Sequence, residues 1–214
     1  MFGRLFLVLM LLWGSRAYSQ HLGKMAEEKP PEKFPENAWG IDLMFGEGGF
    51  GLGTFLRKNL TDTFSIFGDF SISESKDERE IQYVDYFGRT FVFGKKNRVL
   101  LLPLNFGVQY RLFAELLSSN LRPYLTLGAG PSFIVTTPYE IEFFSSLKEA
   151  SGYVAAGGYV GFGANIGSDK SSLLGLNIRY QFVHMFNKGV ESMYGRRRKD
   201  FGSVYISLSL GVQY

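Results

Sequence analysis

The chain has 214 residues, no cysteine and a formal net charge of +3. Disulfides, thiolate metal sites and a cysteine nucleophile are therefore excluded, and so small and dispersed a positive charge offers nucleic acid no basic face. Aromatic residues make up 16% of the chain, too much apolar surface for a disordered segment.

The N-terminus reads as an export signal. Arg4 supplies a positive start and Leu5 to Trp13 form an apolar core. Ala17, Tyr18 and Ser19 then place small residues at the two positions a signal peptidase reads. That core is too short to cross ~30 Å of hydrocarbon as a helix, so residues 1–19 are expected to be a signal peptide cleaved after Ser19. Residues 20–37 are charged and proline-bearing, and predict a flexible tail. Beyond Gly14 no apolar run approaches the ~18 residues a membrane helix needs.

From Trp39 a two-residue period begins and keeps returning. Segments 39–45, 50–57, 64–73, 99–112, 122–135, 153–166, 173–184 and 201–214 alternate apolar with small or polar residues, the pattern of strands with one apolar face. In the first, Trp39, Ile41, Leu43 and Phe45 alternate with Gly40, Asp42 and Met44. In the last, Val204, Ile206, Leu208, Leu210, Val212 and Tyr214 alternate with residues such as Ser203, Ser207, Ser209 and Gln213.

Length separates a soluble sandwich from a membrane barrel. Soluble strands average roughly five or six residues, whereas a tilted membrane strand needs ~9–11, and several segments here reach that length. The links also alternate. Those at 58–62, 113–121 and 167–171 are shorter than those at 74–97, 136–152 and 185–200, with 46–49 the one short link on the long side. Aromatic residues such as Trp39, Tyr110, Tyr153 and Tyr214 favour strand ends, as interfacial girdles require. The expected fold is an all-β, eight-stranded antiparallel transmembrane β-barrel, an up-and-down meander over 38–214. Both termini and the short turns would lie on the periplasmic side.

The signal sequence, the eight segments and the terminal "YISLSLGVQY" resemble the small eight-stranded outer-membrane barrels, the OmpA/OmpX/OmpW-like group. The most specific element is the terminal strand, similar to that group's assembly signal. Here Val204, Ile206, Leu208, Leu210 and Val212 lead to Tyr214, where phenylalanine is commoner. The resemblance implies the outer membrane of a Gram-negative-type bacterium, with lipopolysaccharide and the assembly machinery as partners.

Eight strands enclose an interior that side chains can fill. The inward parity carries Asp42, Arg57, Asp69, Asn105, Gln109, Arg111, Asn177, Arg179 and Gln181. Unpaired charge there is costly, so a cross-lumen polar network and no open pore are expected. Three arginines against two aspartates leave one cation for carbonyls, tyrosine hydroxyls or a trapped anion. Pro131 cannot donate to a ladder and predicts a bulge or the end of pairing.

Other motifs carry less. "GEGGFG" at 46–51 is followed by a strand, not the helix that a dinucleotide site needs; a tight turn explains it. "NLT" at 59–61 reads as a turn. The two histidines, His21 and His184, form no metal-ligand spacing, and neither a metal nor a cofactor is expected. "RYQFVHMFN" at 179–187 faintly resembles the lipid A deacylases, but Phe186 stands where their serine would be, so no enzyme is expected. Arg196, Arg197, Arg198 and Lys199 form a basic run suited to lipid phosphates. The loop at 74–97 carries Tyr83, Tyr86, Phe87, Phe91 and Phe93, and with 185–200 offers a surface for an extracellular partner. The expected role is a structural or surface-interaction protein. The alternative is an OmpW-like conduit for small apolar molecules, and a lipid A-modifying enzyme is more distant.

Overall fold

A computed structural model describes residues 35–114, 117, 120–167 and 171–214. The predicted signal peptide and nearly all of the predicted tail lie outside these residues. Among them, strands β1 (Asn37–Gly46), β2 (Gly49–Asn59) and β3 (Phe64–Ser75) are followed by a short hairpin of β4 (Gln82–Val84) and β5 (Thr90–Val92). Then come β6 (Asn97–Arg111), β7 (Leu121–Pro138), β8 (Ser151–Ile166) and β9 (Ser172–His184). A second hairpin of β10 (Val190–Met193) and β11 (Arg196–Arg198) precedes β12 (Asp200–Gln213).

The eight long strands close into a barrel in the order β1-β12-β9-β8-β7-β6-β3-β2. Every neighbour is antiparallel, and β12 pairs with β1 from Gln213 opposite Ala38 to Tyr205 opposite Gly46. The terminal strand therefore has two neighbours and no free edge, which removes the usual liability of an unpaired ladder. The residue alternation becomes an inside-out distribution. Trp39, Leu56, Phe106, Leu127, Val154 and Phe162 are exposed all round the wall, while Asp42, Asp69, Asn105 and Asn177 are buried. Such an apolar girdle is far larger than a soluble monomer tolerates, and it suits hydrocarbon as solvent.

The links fall at two ends. Three links, 60–63, 112–120 and 167–171, join β2 to β3, β6 to β7 and β8 to β9 at one end. At the other lie the two-residue turn after β1, where Gly49 adopts φ +115°, and the three long loops. At the loop end β6, β7 and β8 run two or three residues beyond the expected limits at 99, 135 and 153. β6, β7 and β8 have 15, 18 and 16 residues, and β6 and β7 stay paired up to Asn97 opposite Pro138. Residues 97, 136–138 and 151–152 of the expected links thereby join the wall. Pro131 neither ends pairing nor shifts register. The pairing of β7 with β6 is interrupted at Gly130 and Pro131, opposite Asn105 and Leu104, and resumes in the same register, while Pro131 remains paired with Ala156 of β8. A missing N–H on one side needs no extra residue.

Inside, glycine makes room where rings turn inward. A Cβ on Gly107 would sit 2.6 Å from the tip of the Phe67 ring, and one on Gly128 3.2 Å from it. These two paired glycines let an aromatic ring lie across a narrow lumen.

Candidate functional site

The lumen is filled in layers, beginning with a polar one. Ser209 Oγ donates to Asp42 Oδ1 at 2.5 Å, and the Arg179 guanidinium lies 4.0 Å from Asp42 Oδ2. Asp69 accepts from Asn105 Nδ2 at 2.9 Å and from the Tyr159 hydroxyl at 2.6 Å. Arg179 stacks over the Tyr159 ring at 5.0 Å and touches the Met44 sulfur. Arg57 lies between the Phe55 and Tyr124 rings, at 5.3 and 5.7 Å. Asn177 donates to the Tyr124 hydroxyl at 3.4 Å. The space left among these groups, which Gln109 also lines, is about 30 Å³, the share of one water molecule.

All nine residues predicted for the lumen lie on the inward parity. The structure gathers Asp42, Arg57, Asp69, Gln109, Asn177 and Arg179 around that small cavity, with Asn105 bonded to Asp69. Gln181 is buried on the same parity, and Arg111 sits at the turn end, where β6 stops. One charged residue was missed. Arg122 is buried at 5% exposure, so among the described residues four arginines, not three, share the interior with two aspartates. Its parity is that of Tyr124 and Thr126, but it stands at the start of its segment beside Pro123, where alternation is hardest to anchor.

Towards the loop end the filling turns apolar. Val99, Leu101, Ile134, Ala155, Val183, Met185, Val190 and Phe201 form one buried cluster. Most of these stand on the inward parity of their strands, where the residues predicted for the lumen are all polar.

Above this cluster ion pairs join the loops 74–97 and 185–200, and hydrogen bonds and a ring contact tie in the loop 136–152. Asp77, its side chain 1% exposed, meets Arg196 at 3.1 Å and Arg198 at 3.7 Å. Lys95 is buried between Glu80 at 2.7 Å and Glu74 at 3.3 Å, beneath the Tyr139 ring. Lys96 pairs with Glu191 at 2.6 Å. Arg98 donates to the carbonyls of Pro138, Tyr139 and Ile141. Backbone bonds from Lys96 to Ser192 and from Tyr194 to Gly94 complete the seam. The result is a cap in which each loop is tied to another. Bonds from Lys96 and the Gly195 amide hold the Glu191 carboxyl below its ordinary range.

The basic run at 196–199 is thereby divided. Strand alternation turns Arg196 and Arg198 onto Asp77 and leaves Arg197 and Lys199 exposed. The aromatic loop forms the β4–β5 hairpin, with Tyr83, Phe91 and Phe93 in mutual ring contact and Tyr86 almost fully exposed near its tip. His184 Nδ1 lies 2.6 Å from Asp200 Oδ1, and its ring meets Phe186 edge-on. The imidazole is thus paired through Nδ1 with a carboxylate at the rim of the barrel. Among the described residues no group of three metal-ligating side chains converges.

No protein-family model matches the sequence, and no curated protein matches it. Solved structures do match in shape. Neisserial surface protein A aligns with a TM-score of 0.51 at 11% identity, over 86% of this chain and 100% of that one. A major outer membrane protein from Thermus thermophilus aligns at 0.50 with 10% identity, over 83% and 99%. The fold is that of the small eight-stranded outer-membrane barrels. The N-terminal β-barrel domain of Pseudomonas aeruginosa OprF also aligns, at 0.48 and 12% identity, over 85% of this chain and all of that domain. At such identities the likeness concerns the fold.

Proposed function

We propose that this protein is an exported, outer-membrane-resident barrel that does not conduct and that acts through its capped loop end, as a structural and surface-interaction protein. One observation carries the reading. The mid-lumen cavity is about 30 Å³, and above it lie a buried apolar cluster and the ion-paired cap. A solute would have to displace three differently bonded layers, each stabilised by contacts that the others do not share.

The location rests on the apolar girdle together with the shared fold. The end carrying the long loops faces outward in this reading, so Arg197, Lys199 and the aromatic hairpin meet the exterior and the lipopolysaccharide-bearing leaflet. β12, with apolar residues alternating back from Tyr214, serves as the element the assembly machinery grips. This reading gives His184 a structural place at the rim, where its Nδ1 pairs with Asp200 and its ring meets Phe186.

Purified protein reconstituted in planar bilayers is expected to give no steady conductance, and unheated protein to migrate anomalously on SDS gels. A persistent single-channel current would overturn the closed-lumen reading in favour of a conduit. Unchanged mobility on heating would overturn the barrel's membrane state.

A further inference from the structure

β8 and β9 part at the loop end. Their ladder stops at Ala156 opposite His184, yet β8 runs on to Ser151 paired with β7. The chain after His184 bends towards β12, where the Met185 amide bonds the Lys199 carbonyl. A notch is left in the rim of the wall, with a volume of about 690 Å³. Thr136, Tyr153 and Val190 line it, and Phe186, 74% exposed, stands at its side.

The charge of the notch is one-sided. Lys96, Lys188, Arg197 and Lys199 line it against Glu191, the single carboxylate of the lining among the described residues. Glu191 is already bonded to Lys96 and to the Gly195 amide. Lys188, Arg197 and Lys199 are exposed and face the same space. Three cations around one opening repel one another unless an anion lies between them, and the forked guanidinium of Arg197 suits phosphate oxygens.

The notch borders the apolar girdle through Phe186, which lines it and whose ring meets His184 at the upper end of β9. Val154, 60% exposed, follows Tyr153 on the outer face of β8 and pairs with exposed Phe133. Phe182, two residues before His184, is exposed on β9. A soluble anion would have no use for this wall, whereas a lipid would place its chains along it and its headgroup in the notch. We propose that the notch holds the phosphate-bearing headgroup of a membrane lipid, with acyl chains against Phe133, Val154 and Phe182. This deepens the membrane reading above and rests on it. It replaces the contiguous run 196–199 with a spatial set, Lys188, Arg197 and Lys199.

The test uses the full-length mature protein in phosphatidylcholine vesicles doped with bisphosphorylated lipid A, followed by native mass spectrometry of retained lipid. One phosphorylated lipid per barrel is expected. Replacing Lys188, Arg197 and Lys199 together by Gln should lower its retention about tenfold or more, since charge-assisted contacts to phosphate are lost. A control of equal charge change away from the notch, Lys58→Gln with Arg89→Gln and Lys148→Gln, should retain it. Equal retention of dephosphorylated lipid A, an unaltered triple variant, or an equal loss in the control would overturn the proposal. So would displacement of the lipid by soluble glucose 1-phosphate at matched concentration, which would assign the notch to free sugar phosphates. Gel mobility of each variant before and after heating reports on the barrel separately, so a failure of the membrane state is distinguishable. Should the triple variant not assemble, Lys188→Glu alone gives the same readout.

Discussion

Asp77 shows how much a single side chain can organise. It is buried, it accepts from the Arg79 amide at 3.1 Å, and it faces Arg196 and Arg198 from a loop more than a hundred residues away. Breaking a buried ion pair leaves the remaining charge uncompensated, a cost of several kcal/mol, reduced here because Arg196 is partly exposed. Asp77→Asn is therefore expected to open the cap by on the order of 3 kcal/mol. Hydrogen exchange should report this as faster exchange of amides in 192–198, with barrel amides unchanged. Equal protection in the variant would show that the cap does not depend on this hub. At this scale the sequence was partly legible. Asp42, Asp69 and Arg179 declared themselves by inward parity, because period two is imposed by the pleat. Asp77 did not, because a loop has no period and its partners are distant in the chain.

Between elements, Glu191 joins β10 to the start of β6. Its carboxyl lies below the ordinary range because Lys96 and the Gly195 amide stabilise the charged form. A depressed folded value means that the contribution to cap stability is fully present above the ordinary glutamate value of roughly 4.3. It is lost as pH falls through the lower folded value. In an NMR titration, the Gly195 amide resonance is expected to move at a pH below that range, and Glu191→Gln should abolish the movement. A midpoint at the ordinary value would remove the link between β10 and β6 as a source of pH sensitivity. The strands themselves were readable to within a few residues, since each buries one face and exposes the other. The β10–β11 hairpin was not. It is short, it lies outside the girdle, and its alternation (Arg196 and Arg198 inward, Arg197 outward) is set by Asp77 and not by hydrophobicity.

At the scale of the whole molecule, the plug and the cap are separate layers of one closed wall. Replacing residues 81–93, the aromatic hairpin, by a short Gly-Ser turn should leave the heat-dependent gel shift intact and conductance still absent, because the lumen is filled below the loops. A channel appearing in that variant would mean that the hairpin, and not the polar layer, seals the barrel. By itself the sequence determined the all-β class, the eight strands and the meander. Those follow from local alternation and from link lengths, which neighbouring residues encode. Only the tertiary structure decided that Arg122 joins the interior, that an apolar cluster roofs the polar layer, and that half of the basic run is bound to Asp77. It also decided that β8 outruns β9 to leave a notch. Each of these depends on register and on contacts between strands far apart in the chain, and a pattern of period two contains no information about either.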